Sequence, residues 1–471
     1  MENDKIKLLI LGAGISQVPT IRAARNLGIT SIILDGSSTA VFKNEADKFI
    51  VCDIKNHEAV LEIAKKEKIN GIVCPGTDFP YTAAYVAEKL GIPGISPAVA
   101  LMCQNKYEQR QVLKNAGFFV PNCILFKTKN LSKVDTLNSP IVIKPVDSMA
   151  ARGARVIHNY TELDKAYKEA VSFSRTRQVI AEEFIEGMEF SIDALVFNNE
   201  VFVVGFADRH FMLYPYFIEN GHTVPSILNW ETKHYICETF KNAVKSLGIT
   251  MGAAKGDVKL TSKGIMIGEI AARISGGFLS GWTYPYSSGV YPHENLIRLH
   301  LGEPPISWNE EKLGFSAERV LLSIPGKLKE VVNLNQTSNY PGVKLIHLHV
   351  KPGDELHFPY NNAQRCGSVI SFSKGRSDAI YRAQIAATNT ILRLEPNNKE
   401  TLKWLKADDG FRMYSPSKKE TDWHDADIAK NLELIIEITG KSIQQITNTK
   451  NFWEYFYRGG VQAGLFCIDS F

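Results

Sequence analysis

No stretch of this sequence reaches the roughly 18 consecutive apolar residues that suggest a membrane-spanning helix. There is no CxxC pair, and the seven cysteines are scattered. That argues against a disulfide framework or a four-cysteine metal site and predicts reduced thiols in a cytoplasmic protein. No internal repeat and no low-complexity tract interrupts the chain. A strong excess of one charge is also missing: the net formal charge is +4 over 471 residues. So mild a balance does not argue for a nucleic-acid partner, while a few basic side chains suffice to meet an anionic substrate. The opening MENDKIKLLILGAG carries acids and runs straight into a strand, so it does not read as a signal peptide. What is present is ordinary globular composition, 44% hydrophobic and 22% charged. The length predicts roughly two to four domains.

The first stretch alternates strand and helix patterns. KLLILGAG (7–14), SIILD (31–35), FIVCD (49–53) and GIVCPG (71–76) read as strands, separated by helical spacings such as VPTIRAARNLG (18–28). That alternation predicts a parallel sheet with crossover helices. From Ser96 onward, short strands, the helix ELDKAYKEAVSF (162–173), an antiparallel run over 179–210 and the long helix 231–248 follow. Residues 252–273 read as a hairpin turning at TSKG, and 317–374 as a smaller strand-rich unit. SDAIYRAQIAATNTILRLEP (377–396) reads as one helix stopped near Pro396. The tail 397–471 is mixed, with the aromatic-rich stretches FRMYSPSKKETDWHD and NFWEYFYRGGVQAGLF. A packing arm or oligomer contact is the expectation there, ahead of a second substrate site.

GAGISQ (12–17), with Asp35 about twenty residues on, resembles a dinucleotide-binding turn. The third glycine position is Gln17, however, and a structural or substrate-side turn is the better reading. The hairpin is more informative. Asp257 lies in GDVKL and Glu269 in GEIAAR, separated by twelve positions across the turn. Antiparallel pairing at that separation puts both side chains on one face. Two converging carboxylates are costly unless a cation sits between them, and Mg²⁺ takes carboxylate oxygens together with substrate phosphates. Arg273, just beyond, suits a phosphate or an oxyanion. A solvated hairpin edge is the plain alternative.

Upstream, Lys144 interrupts the apolar strand IVIKP, where an unpaired ammonium is expensive; a nucleotide phosphate would satisfy it. The small-residue stretch DSMAARGARV (147–156) offers backbone N–H groups for phosphates. Lys106 in QNKYEQR taken alone reads as a solvated helix end. Glu182, Glu183 and Glu189 in EEFIEGMEF suit an adenine amino group or ribose hydroxyls, although solvated strand ends carry such residues too.

In this order, NK (105–106), IVIKP (141–145), the small-residue loop, EEFIEGMEF (182–190), DVKL (257–260) and EIAAR (269–273) resemble the ATP-grasp superfamily over roughly residues 5 to 395. The resemblance implies an α/β and α+β multidomain fold. Its parts are a parallel-sheet N-terminal domain (1–95), a two-lobed ATP-grasp domain with antiparallel sheets (96–305, lid lobe about 122–186), a smaller strand-rich C-terminal domain (306–396) and an extension (397–471). It implies that Lys106 and Lys144 hold ATP phosphates and that the loop from Ser148 to Gly153 covers them. Glu182, Glu183 and Ile185 then line the adenine pocket, partly through backbone groups, and Glu189 matches the ribose ligand. Asp257 and Glu269 match ligands of Mg²⁺ or Mn²⁺, and Arg273 the acyl-phosphate stabiliser.

DRHFMLYPYFIENGHTVPS (208–226) places Glu219 three residues before His222. This resembles the L-amino-acid ligases, the bacilysin-type dipeptide synthetases, in which the matching Glu and His contact the substrates. The implied activity is an ATP-dependent carboxylate–amine ligation through an acyl phosphate, with carboxylic acid and amine substrates of amino-acid type and no nucleic-acid or membrane partner. Oligomeric state stays open, a homo-oligomer included. The chain departs from the family at three places. Gly277 replaces a tryptophan of the bacilysin-type enzyme, which implies a larger or differently shaped acid pocket unless Phe278 or Trp282 fills the space. Ala150, Ala151 and Arg152 stiffen a loop that relatives build with more Gly and Ser. Asp257 stands where Glu is commoner. Other readings are an ATP-grasp carboxylase of biotin carboxylase or purine-pathway type, an NAD-dependent oxidoreductase resting on GAGISQ, and an inactive nucleotide-binding protein.

Overall fold

At the N-terminus, four strands form a parallel sheet: β1 (Lys7–Leu11), β2 (Thr30–Asp35), β3 (Lys48–Val51) and β4 (Gly71–Val73), in the order β3-β2-β1-β4. Strand β1 is apolar at every buried position because both faces of the sheet are covered. Leu9 and Leu11 pack with Val60, Leu61 and Val86 from the helices His57–Glu67 and Pro80–Leu90. Leu8 and Ile10 pack on the other side with Ile21 and with Ile297 of the helix Pro292–His300.

The computed structural model describes residues 5–128, 131, 133–308, 312–407 and 428–471; the stretch FRMYSPSKKETDWHD lies outside them. The chain divides into two units, Met1–Met149 with Gly153–Arg209 and His222–Gly314, and Ala150–Arg152 with His210–Gly221 and Phe315–Phe471.

Within the first unit, a four-stranded antiparallel sheet forms from β5 (Cys123–Phe126), β6 (Ile141–Pro145), β7 (Arg155–Ile157) and β8 (Val179–Glu183), in the order β5-β8-β6-β7. Its apolar face meets the helix Leu163–Phe173: Ile141 and Ile143 join Ala166, Ala170 and Ala181 in one core. Lys144 therefore falls on the opposite face by the two-residue period of the strand. A second sheet runs β13-β12-β9-β10, from β9 (Met188–Phe197), β10 (Glu200–Met212), β12 (Gly252–Thr261) and β13 (Gly264–Ala271); β11 is Ile218–Val224. Phe190, Ile192, Ala194, Ala254 and Val258 turn one face toward Ile236 and Phe240 of the helix Trp230–Ser246. The alternate residues Glu189, Ser191, Asp193, Lys255, Asp257 and Lys259 belong to the other face, which carries the candidate site.

The second unit holds β14 (Phe315–Leu321), β15 (Gly326–Val332), β16 (Val343–Leu348), β17 (Glu355–Leu356), β18 (Gly367–Ser373) and β19 (Ile391–Leu394). The helix Arg376–Asn389 ends seven residues earlier than expected, since ILRL forms β19 and pairs antiparallel with β15 through Leu394↔Leu328 and Ile391↔Val332. The reason is burial: Ile391, Leu392 and Leu394 all enter the core of the unit, and ladder pairing satisfies backbone groups there that helix propensity alone does not govern. The tail contributes to this same core. Leu432, Ile435, Phe452, Phe456 and Phe466 pack with Leu328 and Leu394. Asp469 receives Arg393 in a two-pronged pair, Nε to Oδ2 and Nη2 to Oδ1, each at 2.7 Å. All seven cysteines are free thiols, and no helix among the described residues is long and apolar enough to cross a membrane.

Phe456 is 0% exposed, so Phe456→Ala is expected to cost about 3–5 kcal/mol in urea unfolding. A loss below about 1 kcal/mol would show that residues 428–471 hang on the unit without sharing its core.

Candidate active site

The geometry starts from an irregularity in the β12–β13 hairpin. Near the turn the strands pair in regular register, Thr261↔Gly264 to Val258↔Ile267; the next pair is Asp257↔Glu269, with a shift between them. Gly268 is the extra residue of a β-bulge. A Cβ there would stand 2.8 Å from the Asp257 carbonyl oxygen, so only glycine fits without displacing the partner strand. The bulge brings Glu269, instead of Gly268, opposite Asp257. Directly opposed residues point to the same face, so the bulge sets the two carboxylates side by side, as expected, where a regular hairpin would have parted them.

Cations surround both acids. Asp257 Oδ1 pairs with Arg209 Nη1 at 2.9 Å and also with Lys255 Nζ. Glu269 Oε1 lies 3.2 Å from Lys106 Nζ, which also donates to the Ser148 carbonyl at 2.7 Å. Burial works to raise the Glu269 carboxyl, but the charges of Lys106, Lys144 and Lys255 overcome it and hold it down to about 2. Lys106 opens the helix Lys106–Asn115 and is 8% exposed; it is not a solvated helix end.

Lys144 meets a partner the strand pattern did not reveal. Glu182 on β8 is its diagonal neighbour, since Val142 pairs with Glu182 and Lys144 with Ile180. The ammonium lies 2.5 Å from Glu182 Oε2, and Arg110 Nε lies 2.8 Å from Oε1. Burial lowers the Lys144 ammonium, with Glu182 opposing that and Arg110 adding to it. Burial pushes Glu182 up, and Arg110 and Lys144 together bring it below the ordinary carboxylate range. The Glu182 side chain is thus an internal counter-ion. Glu183 turns the other way and accepts from Asn122 Nδ2 at 3.0 Å and Asn138 Nδ2 at 2.8 Å. The Ile185 carbonyl accepts from Lys259 Nζ at 3.0 Å, and the same ammonium pairs with Glu189 at 2.6 Å. Arg209 stands between the two acid sites, 3.6 Å from Glu189 and 2.9 Å from Asp257.

Arg273 lies two residues past β13. It donates through Nη1 to the Ile274 carbonyl at 2.9 Å, while its Nε is buried with no hydrogen-bond partner. With Lys106, Ser148 and Glu269 it lines one cavity, whose other wall includes Thr77 and Asp78. Asp193, buried on β9, accepts from the Ser275 amide and hydroxyl, both at 2.9 Å, and so fixes the segment after Arg273. Gly277 has φ +65°, and a Cβ there would meet nothing within 4 Å. Phe278 and Trp282 are buried against one another, ring centroids 5.0 Å apart. In the loop from Ser148 to Gly153, Gly153 has φ +69° and stands where a Cβ would meet Phe173 at 3.0 Å and Ala170 at 3.1 Å.

Of the two remaining candidates, His222 is buried in the first unit. Glu219 belongs to the second, where its amide donates to Asn362 Oδ1 at 2.8 Å and its carboxylate lies 3.5 Å from Arg365. The GAGISQ turn saturates its own amides: Ala13 donates to Asp35 Oδ2 at 2.9 Å and Gly14 to Gln17 Oε1 at 3.0 Å. Asp35 and Gln17 thereby act on the protein's own backbone, in keeping with a structural turn. Sequence reading overlooked Arg110, Arg209, Lys255, Lys259 and Asp193. Lys255 and Lys259 were accessible to it, since KGDVKL alternates and puts both on the face of Asp257.

Residues 103–277 match the ATP-grasp domain family. The chain carries an ATP-grasp domain. Residues 319–395 match a second family, L-amino acid ligase C-terminal domain 2. Among curated relatives, the formate-dependent phosphoribosylglycinamide formyltransferase of Sulfurisphaera tokodaii is 23% identical over 410 residues, 82% of this chain and 97% of that protein. Among solved structures, L-amino acid ligase from Bacillus licheniformis superposes with a TM-score of 0.74 at 20% identity, covering 84% of this chain and all of that one. N5-carboxyaminoimidazole synthetase from Staphylococcus aureus, solved with ADP, gives 0.67 at 17% identity and covers 82% and 99%. The two matches cover separate parts of the chain, and ATP-grasp domains act with ATP and Mg²⁺. The donor set fits that ion. Asp257 and Glu269 offer carboxylate oxygens, the donor type Mg²⁺ takes together with phosphate and water.

Asp193 carries a pH dependence. Burial pushes its carboxyl from 3.8 to about 6, against the Ser275 donors and the charges of Lys255 and Arg273. Between about pH 4 and pH 6 the folded chain then holds a proton that the unfolded chain has lost, so stability falls as pH rises through that window. Asp193→Asn keeps an acceptor for Ser275 and has no charge to bury. The stability difference between variant and wild type, from urea unfolding, is expected to move by about 3 kcal/mol in favour of the variant from pH 4 to pH 7; a pH-independent difference contradicts this.

Proposed function

We propose that the chain is an ATP-dependent ligase that joins the carboxylate of one amino acid to the amine of a second amino acid or amine through an acyl phosphate. The observation that carries this reading is the bulge-set pair Asp257 and Glu269 lying beside Lys106 and sharing a cavity with Arg273. Asp257 and Glu269 would hold Mg²⁺, which when bound shields the charge of the phosphates during transfer. Lys106 and Lys144 hold phosphate oxygens, and Glu182 keeps the Lys144 ammonium in place between turnovers. The substrate carboxylate attacks the terminal phosphorus, ADP leaves, and the amine then displaces phosphate from the acyl carbon. Arg273, with a buried unpartnered Nε, stabilises the oxyanion of that displacement. On this reading Glu219 and His222 contact the substrates, Ile185 and Glu183 serve adenine through backbone groups, and Glu189 serves the ribose.

An ATP-grasp carboxylase would use the same phosphate and metal residues. The match of residues 319–395 to an L-amino acid ligase domain favours the ligase. Phosphate release screened over pairs of amino acids and amines with ATP and Mg²⁺ separates the two. Release that needs a pair supports the ligase, and release that needs bicarbonate with biotin or an aminoimidazole ribotide rejects it.

Glu269→Gln is expected to keep the fold and abolish ADP formation with every pair, measured by a coupled ADP assay; full activity removes the metal assignment. Arg273→Ala is expected to lower kcat/KM by the equivalent of about 2–4 kcal/mol. Unchanged steady-state kinetics would separate Arg273 from the reacting centre.

A further inference from the structure

Arg175 lines the same cavity as Arg273, Lys106 and Glu269. It lies in the turn between the helix Leu163–Phe173 and β8. Asp147 builds that turn: its carboxylate accepts from Ser174 Oγ at 2.9 Å, from the Arg175 amide at 3.3 Å and from the Thr176 amide at 2.8 Å. Arg175 Nη2 donates back to the Asp147 carbonyl at 2.8 Å. The guanidinium also lies over the Phe79 ring, 5.8 Å from its centroid, from the loop that supplies Thr77 and Asp78. The side chain is therefore positioned by a backbone bond and an aromatic face, while most of its five N–H donors are not used in either contact.

The other two cations of the cavity have tasks. Lys106 serves Glu269 and the Ser148 carbonyl, and Arg273 is assigned to the reacting centre. The acid that is activated gives up its carboxylate charge in forming the acyl phosphate. An amino acid arriving as the amine partner brings a second carboxylate into the cavity, and Asp78, Asp147 and Glu269 already make anionic company there costly. A fork-shaped cation is what a carboxylate needs in that setting.

We propose that Arg175 binds the carboxylate of the amine-donating substrate, so that this substrate is an α-amino acid and not a simple amine. The proposal rests on the ligase reading and adds the chemical class of the second substrate. With a pair found by the phosphate-release screen, the amine partner is offered as the free amino acid and as its primary amide. Wild type is expected to show a KM about tenfold lower for the acid than for the amide, the effect of one charge-assisted bond. Arg175→Ala should raise the KM for the acid about tenfold and leave the KM for the amide and for ATP unchanged, with Arg175→Lys in between. Equal use of acid and amide by wild type overturns this proposal and leaves the ligase reading standing. So does an Arg175→Ala defect that falls on the KM for ATP, because the contact is then to phosphate. No ADP release with any pair overturns both.

Discussion

Everything in the site depends on one residue inserted into one strand. Without the bulge at Gly268, the hairpin register would set glycine opposite Asp257, and Glu269 would fall on the apolar face. With it, two carboxylates share a face in a partly buried setting. Like charges so placed ordinarily push one pKa upward. Here Glu269 is held at about 2 because Lys106, Lys144 and Lys255 outweigh burial. Both carboxylates already have cationic partners. A divalent ion arriving alone would have to displace these ammonium groups with no new partner for them. On the proposed reading, an ion arriving with a polyphosphate meets a balanced exchange, in which the phosphates take the lysines and the ion takes the carboxylates.

The two antiparallel sheets of the first unit apply one rule. Each buries one face against helices, Leu163–Phe173 for one and chiefly Trp230–Ser246, with Leu113 of Lys106–Asn115, for the other. The two-residue period then delivers every second side chain to the opposite face. Lys144 and Glu182 arise this way on one sheet, and Glu189, Asp193, Lys255, Asp257 and Lys259 on the other. Charge density on these faces is high because cross-strand neighbours alternate in sign, as in Lys259↔Glu189 and Lys255↔Asp193. Each pair is partly desolvated, so its geometry matters more than that of a surface pair.

Much of this was legible in the chain itself. The parallel N-terminal sheet followed from strand–helix alternation, whereas the facing of Asp257 and Glu269 was expected from their spacing but is produced by the bulge. Local pattern failed where a partner comes from far along the chain. Arg110 meets Glu182 across 72 residues of sequence, so nothing near Lys144 announced that its ammonium already had a counter-ion. Helical periodicity likewise ran through ILRL, because the strand β15 that recruits it begins 65 positions upstream. The bulge was missed for another reason: a glycine inside a strand signals a bulge or a close approach equally well, and only the distance to the Asp257 carbonyl decides.

The loop from Ser148 to Gly153 shows how such a site retains a conformation its residues do not favour. Ala150 and Ala151 both have φ 57°, a region that costs an L-residue with a β-carbon about 1–2 kcal/mol each. Glycine would occupy it freely, so the local sequence opposes the observed shape. The opposing bond is Asn362 N–H to the Ala150 carbonyl, at 2.9 Å. Asn362 also receives the Glu219 amide on its side chain. One residue of the strand-rich C-terminal region thus holds the strained turn with its backbone and the Glu219 segment with its amide. With two alanines in place of glycine, the turn relies on this bond to offset the backbone cost, and the same Asn362 fixes the Glu219 segment through its side chain.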